Sequence, residues 1–156
     1  MEQEIERKFL VTGEFKHEAV DSVHIAQGYL SSAPERTVRI RVKGDRGFLT
    51  IKGQSDITGT TRFEWEKEID VGDARNLLEL CERGKIDKIR FIIPAANGRK
   101  WEVDEFHGDN EGLVVAELEL GSADEKFERP SWLGREVTSE AKYYNAMLSQ
   151  HPYKDW

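Results

Sequence analysis

Cysteine is nearly absent from this chain, which carries one, Cys81, among its 156 residues. A single cysteine cannot form an internal disulfide, and such a composition is typical of proteins kept in a reducing compartment. No apolar run approaches the roughly 18 residues that a membrane-spanning helix requires, and no signal-peptide pattern is present. We therefore expect a cytoplasmic protein with no membrane partner.

Internal repeats, low-complexity tracts and linkers are also absent, so a single domain over residues 1–156 is expected. Charge is abundant: 34% of the residues are Asp, Glu, Lys or Arg, and the net charge is −7. A general nucleic-acid binder would carry a net basic face, so nucleic acid is not an expected partner. The chain shows no Ser-His-Asp or Cys-His arrangement and no Gly-rich phosphate loop, which argues against covalent catalysis and P-loop chemistry.

The charged residues follow a two-residue alternation along much of the chain. In residues 2–11, for example, Glu4, Glu6 and Lys8 share one parity, and apolar residues take most of the other. This pattern predicts a β-strand with one charged and one apolar face. Most charged strand faces are simply solvated, but acids aligned with a lysine would also suit a divalent cation with an anionic ligand.

The same pattern predicts about eight strands with hairpin-like links, and helices only between and after them. The predicted strands cover residues 2–11, 24–31, 37–43, 48–52, 62–69, 86–93, 100–106 and 113–120. A change of period predicts one helix over residues 74–83, capped by Asp73. A second helix is predicted from Thr138 or Ser139 to about Gln150.

Two arrangements can place ions on one face of nearly every strand. A flat sheet would bury its apolar face on helices and leave the charged face in water. A closed barrel of about eight strands would instead hold the charges inside and could bind a small ligand there. A lumen with both bases and acids would suit a polyanion with a divalent metal, because bases donate to phosphate oxygens and acids bind metal. Periodicity alone leaves both arrangements open.

An ordered series of motifs distinguishes between them. The series is Glu4-x-Glu6-x-Lys8, Gln27-Gly28-Tyr29-Leu30, Arg39-x-Arg41, Thr50-Ile51-Lys52-Gly53, Arg62-Phe63-Glu64-Trp65-Glu66, Lys88-x-Arg90, Trp101-x-Val103-Asp104, Glu117-x-Glu119, Gly134-x-Glu136-Val137-Thr138 and Tyr144-Asn145. In content and order it resembles the CYTH-domain triphosphate tunnel metalloenzymes over essentially the whole chain, and the compact bacterial members in particular. The resemblance implies a mainly β (α+β) fold: a closed eight-stranded antiparallel β-barrel, the triphosphate tunnel, with helices packed outside.

The resemblance also implies roles for individual residues. Mg²⁺ or Mn²⁺ would be the cofactor, with ligands Glu4, Glu6, Asp104, Glu117 and Glu119. Phosphate groups would be bound by Lys8, Arg39, Arg41, Lys52, Arg62, Lys88 and Arg90. The catalytic set would be Glu4, Glu6, Lys8, Tyr29 and Lys52, in which Tyr29 and Lys52 resemble a pair proposed to help activate water.

Phosphoryl transfer to water is the reaction that these roles imply. The expected enzyme hydrolyses inorganic triphosphate to pyrophosphate and orthophosphate, while cations and metal neutralise the charge of the phosphate chain. Other functions stay open on the same fold: a class IV-type adenylyl cyclase, a nucleoside or thiamine triphosphatase, or a polyphosphate-binding module without turnover. The sequence does not decide among them, because base-binding groups would lie in loops, and it does not predict the oligomeric state.

Overall fold

The structure, a computed structural model, describes residues 2–156 and the side chains of residues 4–156. Met1, at the start of the expected domain, lies outside the described part. The strands are β1 Glu2–Val11, β2 Asp21–Ser31, β3 Arg36–Lys43, β4 Arg46–Gly53, β5 Thr61–Ile69, β6 Ile86–Pro94, β7 Lys100–His107, β8 Val114–Glu119 and β9 Leu133–Glu136. The α-helices are α1 Val71–Glu79 and α2 Asn145–Gln150. The eight predicted strands are confirmed, and β9 is an addition that the alternation did not reveal.

The strands form one antiparallel sheet that closes on itself. The order is β5-β4-β3-β2-β6-β7-β8-β1, and the first half of β1 pairs back with β5, placing Glu4 opposite Arg62. The second half of β1 pairs with β9, where Phe9 lies opposite Glu136. Closure leaves β5 and β8 joined through β1, so the predicted eight-stranded barrel is confirmed and the flat sheet is wrong.

The apolar outer face of the barrel is covered by α1 on one side and by irregular chain on another. Phe9, Trp101 and Trp132 are buried in an outer core cluster, and Trp101 meets the other two rings edge-on, at centroid distances of 5.7 and 5.5 Å. Such edge-to-face contacts add to the free energy of burying the rings. The two-residue alternation along each strand therefore separates this apolar outer core from the charged interior of the barrel.

Helix α1 lies against β2, β3 and β4 because glycine lets the backbones approach. A Cβ at Gly47 would come within 2.6 Å of the Ala74 Cβ. The helix begins one turn earlier than predicted: the side chain of Asp70, not Asp73, is the N-cap, and it accepts a hydrogen bond from the backbone N–H of Asp73 at 3.1 Å. In the described part of the chain, no helix is long and apolar enough to cross a bilayer.

Helix α2 is shorter than predicted and packs across one end of the barrel. A 3₁₀ turn over Ala141–Tyr143 precedes it, and Tyr144 has an extended backbone (φ −71°, ψ 140°), so one continuous helix from residue 138 is wrong. Its Leu148 packs in a second core cluster that includes inward-facing Phe106 of β7 and Val115 of β8. The C-terminal segment therefore fills one end of the barrel with apolar side chains.

Candidate active site

The barrel holds a cavity of about 470 Å³ whose wall is mostly charged. Twelve of the residues expected to form the site line it: Glu4, Glu6, Lys8, Tyr29, Arg39, Arg41, Lys52, Arg62, Lys88, Arg90, Glu117 and Glu119. They come from seven of the strands, since each strand contributes the residues of its inward parity. The structure thus brings together side chains up to 115 positions apart in the sequence (Glu4 to Glu119).

Glu4 lies among cations from β4 and β5. Lys52 Nζ lies 2.8 Å from Glu4 Oε1 and 3.3 Å from Glu64 Oε2, and Arg62 Nε lies 3.8 Å from the same Glu4 oxygen. Burial raises the pKa of Glu4, and the charge of Lys52 opposes that rise. This corner of the cavity is therefore a mixed cluster in which acids and bases are already partly neutralised.

Glu6 and Glu117 form a carboxyl pair in the middle of the wall. Burial, followed by the charge of Glu117, raises the pKa of Glu6 to about 8. Burial also acts to raise the pKa of Glu117, but Lys8 Nζ, 3.2 Å away, and the hydrogen bond with Glu6 hold it well below its usual range. The pKa values of the two carboxyl groups are thus pushed in opposite directions, because burial and mutual repulsion disfavour a second negative charge in the pair.

The arginines of β3 form the opposite, electropositive part of the wall. Arg39 Nη2 donates to Thr50 Oγ1 at 3.1 Å, and the buried Nε of Arg39 has no hydrogen-bond partner among the described residues. Burial, with the neighbouring Arg39 and Arg90 charges, lowers the pKa of Arg41 to about 9. The part of this shift that comes from Arg39 and Arg90 reflects mutual repulsion of the three guanidinium groups, which an entering anion would relieve.

Asp104 is the one expected site residue that does not line the cavity. Its carboxylate, 2% exposed, accepts hydrogen bonds from Lys88 Nζ at 2.7 Å and from Arg90 Nε and Nη2 at 2.8 and 2.9 Å. Burial opposes ionisation of Asp104, but Arg90 and Lys88 outweigh it and lower its pKa to about 2. The geometry makes Asp104 a buried counter-ion of two cations, so its expected role as a metal ligand stays a prediction that these contacts do not favour.

Tyr29 and Lys52, the expected water-activating pair, both line the cavity but are not joined by a hydrogen bond among the described residues. The Tyr29 hydroxyl instead accepts from Gln27 Nε2 at 3.5 Å, while Lys52 is held by the carboxylates of β1 and β5. The pair is therefore present in the wall without being assembled.

Comparison with known families identifies the domain. The family model of the CYTH domain matches residues 2–152. The chain belongs to the CYTH-domain family. Within it, this CYTH chain is similar to an inorganic triphosphatase of Acetivibrio thermocellus, 46% identical over 100% of this chain and 99% of that protein. It is also similar to an inorganic triphosphatase of Nitrosomonas europaea, 34% identical over 94% of this chain and 96% of that protein.

Solved structures give the same relationship at the level of the fold. A crystal structure of an inorganic triphosphatase matches this CYTH chain with a TM-score of 0.68 and 33% identity, over 96% of this chain and 95% of that one. The recognised family and its barrel are thus confirmed by full-length matches rather than by one motif.

CYTH triphosphatases are in general metal-dependent, and the donors in this cavity fit a divalent cation. Glu4, Glu6, Glu117 and Glu119 are hard oxygen donors on adjacent strands, and burial raises the pKa of Glu119 as well, aided by Glu4 and Glu102. Burial raises the pKa values of Glu4, Glu6 and Glu119, and a cation bound beside them would favour their charged forms. In the part of the chain that the structure describes, however, no three potential ligands are gathered closely enough to hold an ion as they stand. The wall contains the donor set but not a preformed cluster.

Sequence reasoning assigned no role to three polar residues, two in the cavity wall (Tyr144 and Asn145) and one buried behind it (Gln27). Gln27 is wholly buried and bonds to Arg41, and Asn145 accepts from Lys88 at 2.9 Å. Tyr144 places its ring 5.3 Å from the Lys8 ammonium. The signal for Gln27 was available, since it shares strand parity with Tyr29. The contacts of Tyr144 and Asn145 depend on where α2 lies.

Proposed function

We propose that this chain is an inorganic triphosphatase, which hydrolyses triphosphate to pyrophosphate and orthophosphate with Mg²⁺ or Mn²⁺ as its cofactor. The observation that carries the proposal is a single cavity of about 470 Å³ with a group of arginines on one part of its wall and a group of glutamates on another. A triphosphate with a divalent cation would pair with both groups, because its phosphates would bind the arginines and its metal ion the glutamates. The full-length similarity to curated inorganic triphosphatases supports the same substrate.

In this proposal the cations of the wall bind and orient the phosphate chain. Lys8, Arg39, Arg41, Lys52, Arg62, Lys88 and Arg90 would donate charge-assisted hydrogen bonds to phosphate oxygens. Arg39 is well prepared for this role, because its buried Nε has no partner among the described residues and its Nη2 is fixed by Thr50. A held and neutralised phosphate chain presents less repulsion to an attacking water.

The carboxylates Glu4, Glu6, Glu117 and Glu119 would hold the cation. When bound, a divalent cation supplies charge neutralisation at the phosphate chain and lowers the pKa of a water. Glu6, whose pKa is raised to about 8, can hold or release a proton near neutral pH. Tyr29 and Lys52 are kept as candidate water-positioning residues. A cytoplasmic location and a single domain also remain predictions.

The substrate preference follows from what the cavity recognises. The specificity that can be identified in its wall is for phosphate, and the chain has few loop insertions from which to build a base pocket. We therefore expect a higher kcat/KM for inorganic triphosphate than for ATP or thiamine triphosphate. A bare triphosphate can enter fully and reach both ends of the cation set, whereas a nucleoside would hold one end at the rim.

One assay tests the proposal. Purified protein is incubated with Mg²⁺ or Mn²⁺ and, at equal subsaturating concentrations, with triphosphate, ATP or thiamine triphosphate, and the products are separated. We expect the fastest initial rate on triphosphate, equimolar pyrophosphate and orthophosphate, and no rate in excess chelator. Glu6→Gln should abolish turnover, while Glu79→Gln, on the exposed part of α1, should not. Cyclic AMP as the main product, or a faster rate on ATP, would refute the assignment.

A further inference from the structure

Asn145, the first residue of α2, reaches the wall of the cavity, where its Oδ1 accepts two hydrogen bonds. Lys88 Nζ donates to it at 2.9 Å and Gln27 Nε2 at 3.3 Å. Gln27 in turn accepts from Arg41 Nε at 2.8 Å. Asn145 thereby connects a cation of β6 with a cation of β3, two strands that are separated by β2 in the sheet.

These bonds determine which donors of the two cations remain available. An ammonium group has three N–H donors, and Asp104 and Asn145 accept two of those of Lys88, at 2.7 and 2.9 Å. The Nε–H of Arg41 donates to Gln27. Among the described side chains, no residue accepts a hydrogen bond from the two terminal nitrogens of Arg41. The remaining donors are therefore free for an anion in the cavity.

Both acceptors are neutral amides in a region where positive charge is in excess. The charge of Arg90 acts on both Lys88 and Arg41, and the charge of Arg39 acts on Arg41 as well. A carboxylate at position 27 or 145 could accept the same hydrogen bonds but would cancel one positive charge. An amide holds each cation in place and leaves its charge for the ligand.

We infer that Asn145 and Gln27 are positioning residues that aim Lys88 and Arg41 at the phosphate chain without cancelling their charge. The inference rests on the proposed function, because it takes triphosphate as the anion. If the two amides only held α2 in place, any acceptor of the same shape would serve. Replacing Asn145 with its isosteric acid separates the two roles most cleanly, because its Oδ1 only accepts in this network.

The variants are Asn145→Asp and Gln27→Glu, with Asn145→Ala as a deletion of both bonds. Asn76→Asp, on the exposed surface of α1, adds the same charge far from the cavity and is the control. Three quantities are measured: the affinity for inorganic triphosphate by calorimetry in chelator, kcat and KM with Mg²⁺ or Mn²⁺, and the thermal midpoint.

For Asn145→Asp we expect a thermal midpoint close to that of the wild type, because the carboxylate still accepts both bonds. Its affinity for triphosphate should fall about tenfold or more, and its KM should rise by a similar factor with a smaller change in kcat, since one charged hydrogen bond to the ligand is offset. Gln27→Glu keeps the bond accepted from Arg41 but loses the two that Gln27 Nε2 donates, to Asn145 and Tyr29, so we expect the same loss of affinity together with a lower thermal midpoint. Asn145→Ala should lose both stability and affinity, and Asn76→Asp should match the wild type.

Wild-type affinity and KM in both acid variants, with a lower midpoint in Asn145→Ala, would overturn the inference and leave a structural role. A wild-type protein that binds triphosphate without hydrolysing it would overturn the proposed function alone, since the affinity comparison still tests the inference. A wild-type protein that does not bind triphosphate would overturn both.

Discussion

A substitution of Asp104 distinguishes most clearly between a structural role and a metal-binding role for this residue. Its buried carboxylate is the shared counter-ion of Lys88 and Arg90, with three donor–acceptor distances between 2.7 and 2.9 Å. Asp104→Asn keeps the shape but removes the charge, leaving two buried cations without adequate compensation. Breaking a buried ion pair from one side costs roughly 3–5 kcal/mol, a large part of the roughly 5–15 kcal/mol that stabilises a typical domain.

Urea unfolding at pH 7 in chelator measures this loss without any contribution from metal. We expect a lower unfolding midpoint with an unchanged m-value, which indicates a change of stability rather than of the unfolded state. Asp109→Asn is the matched control, because its partner Lys154 lies 3.0 Å away and both side chains are at least half exposed. Removing such a surface pair should cost only about 0–1 kcal/mol.

The pH dependence provides a second measurement on the same variant. The folded-state pKa of Asp104, about 2, lies below the ordinary value of roughly 3.9. The contribution of its charge is therefore complete above about pH 4 and is lost as the pH falls towards 2, so the deficit of Asp104→Asn should shrink over that interval. A deficit at pH 7 no larger than that of Asp109→Asn would refute the counter-ion role, and loss of metal response at full stability would make Asp104 a ligand.

Further predictions concern the glutamates and the arginines of the cavity wall. Glu4→Gln and Glu119→Gln should remove metal-dependent turnover more than stability, because both acids line the cavity rather than the outer core; full activity of either variant, or of the wild type in excess chelator, would contradict this. Arg39→Ala and Arg41→Ala should each weaken triphosphate binding by roughly 1.5–3 kcal/mol, the scale of a charged hydrogen bond, as measured by calorimetry. A loss within the roughly 0–1 kcal/mol of a surface pair would mean that these arginines do not contact the ligand.

Much of the barrel could be predicted because strand alternation is a local property. Side chains two residues apart point to the same side of a strand whatever its neighbours are, so the parity of Glu6, Arg41 or Glu117 already separated the wall from the outer core. Local signals were weaker at element ends. For example, Asp70 and Asp73 are both acceptable helix caps by residue type, and in the structure Asp70 accepts from the backbone N–H of Asp73.

The sequence by itself determined which residues face inward and, through the ordered motifs, which family they belong to. Tertiary structure decided what each inward residue touches. It closed β1 onto β5, placed α2 at one end of the barrel, and turned Asp104 towards Lys88 and Arg90 instead of the cavity. Such contacts join positions as far apart as Gln27 and Asn145. They depend on barrel closure and on where the last helix packs, and no local pattern in the chain records either.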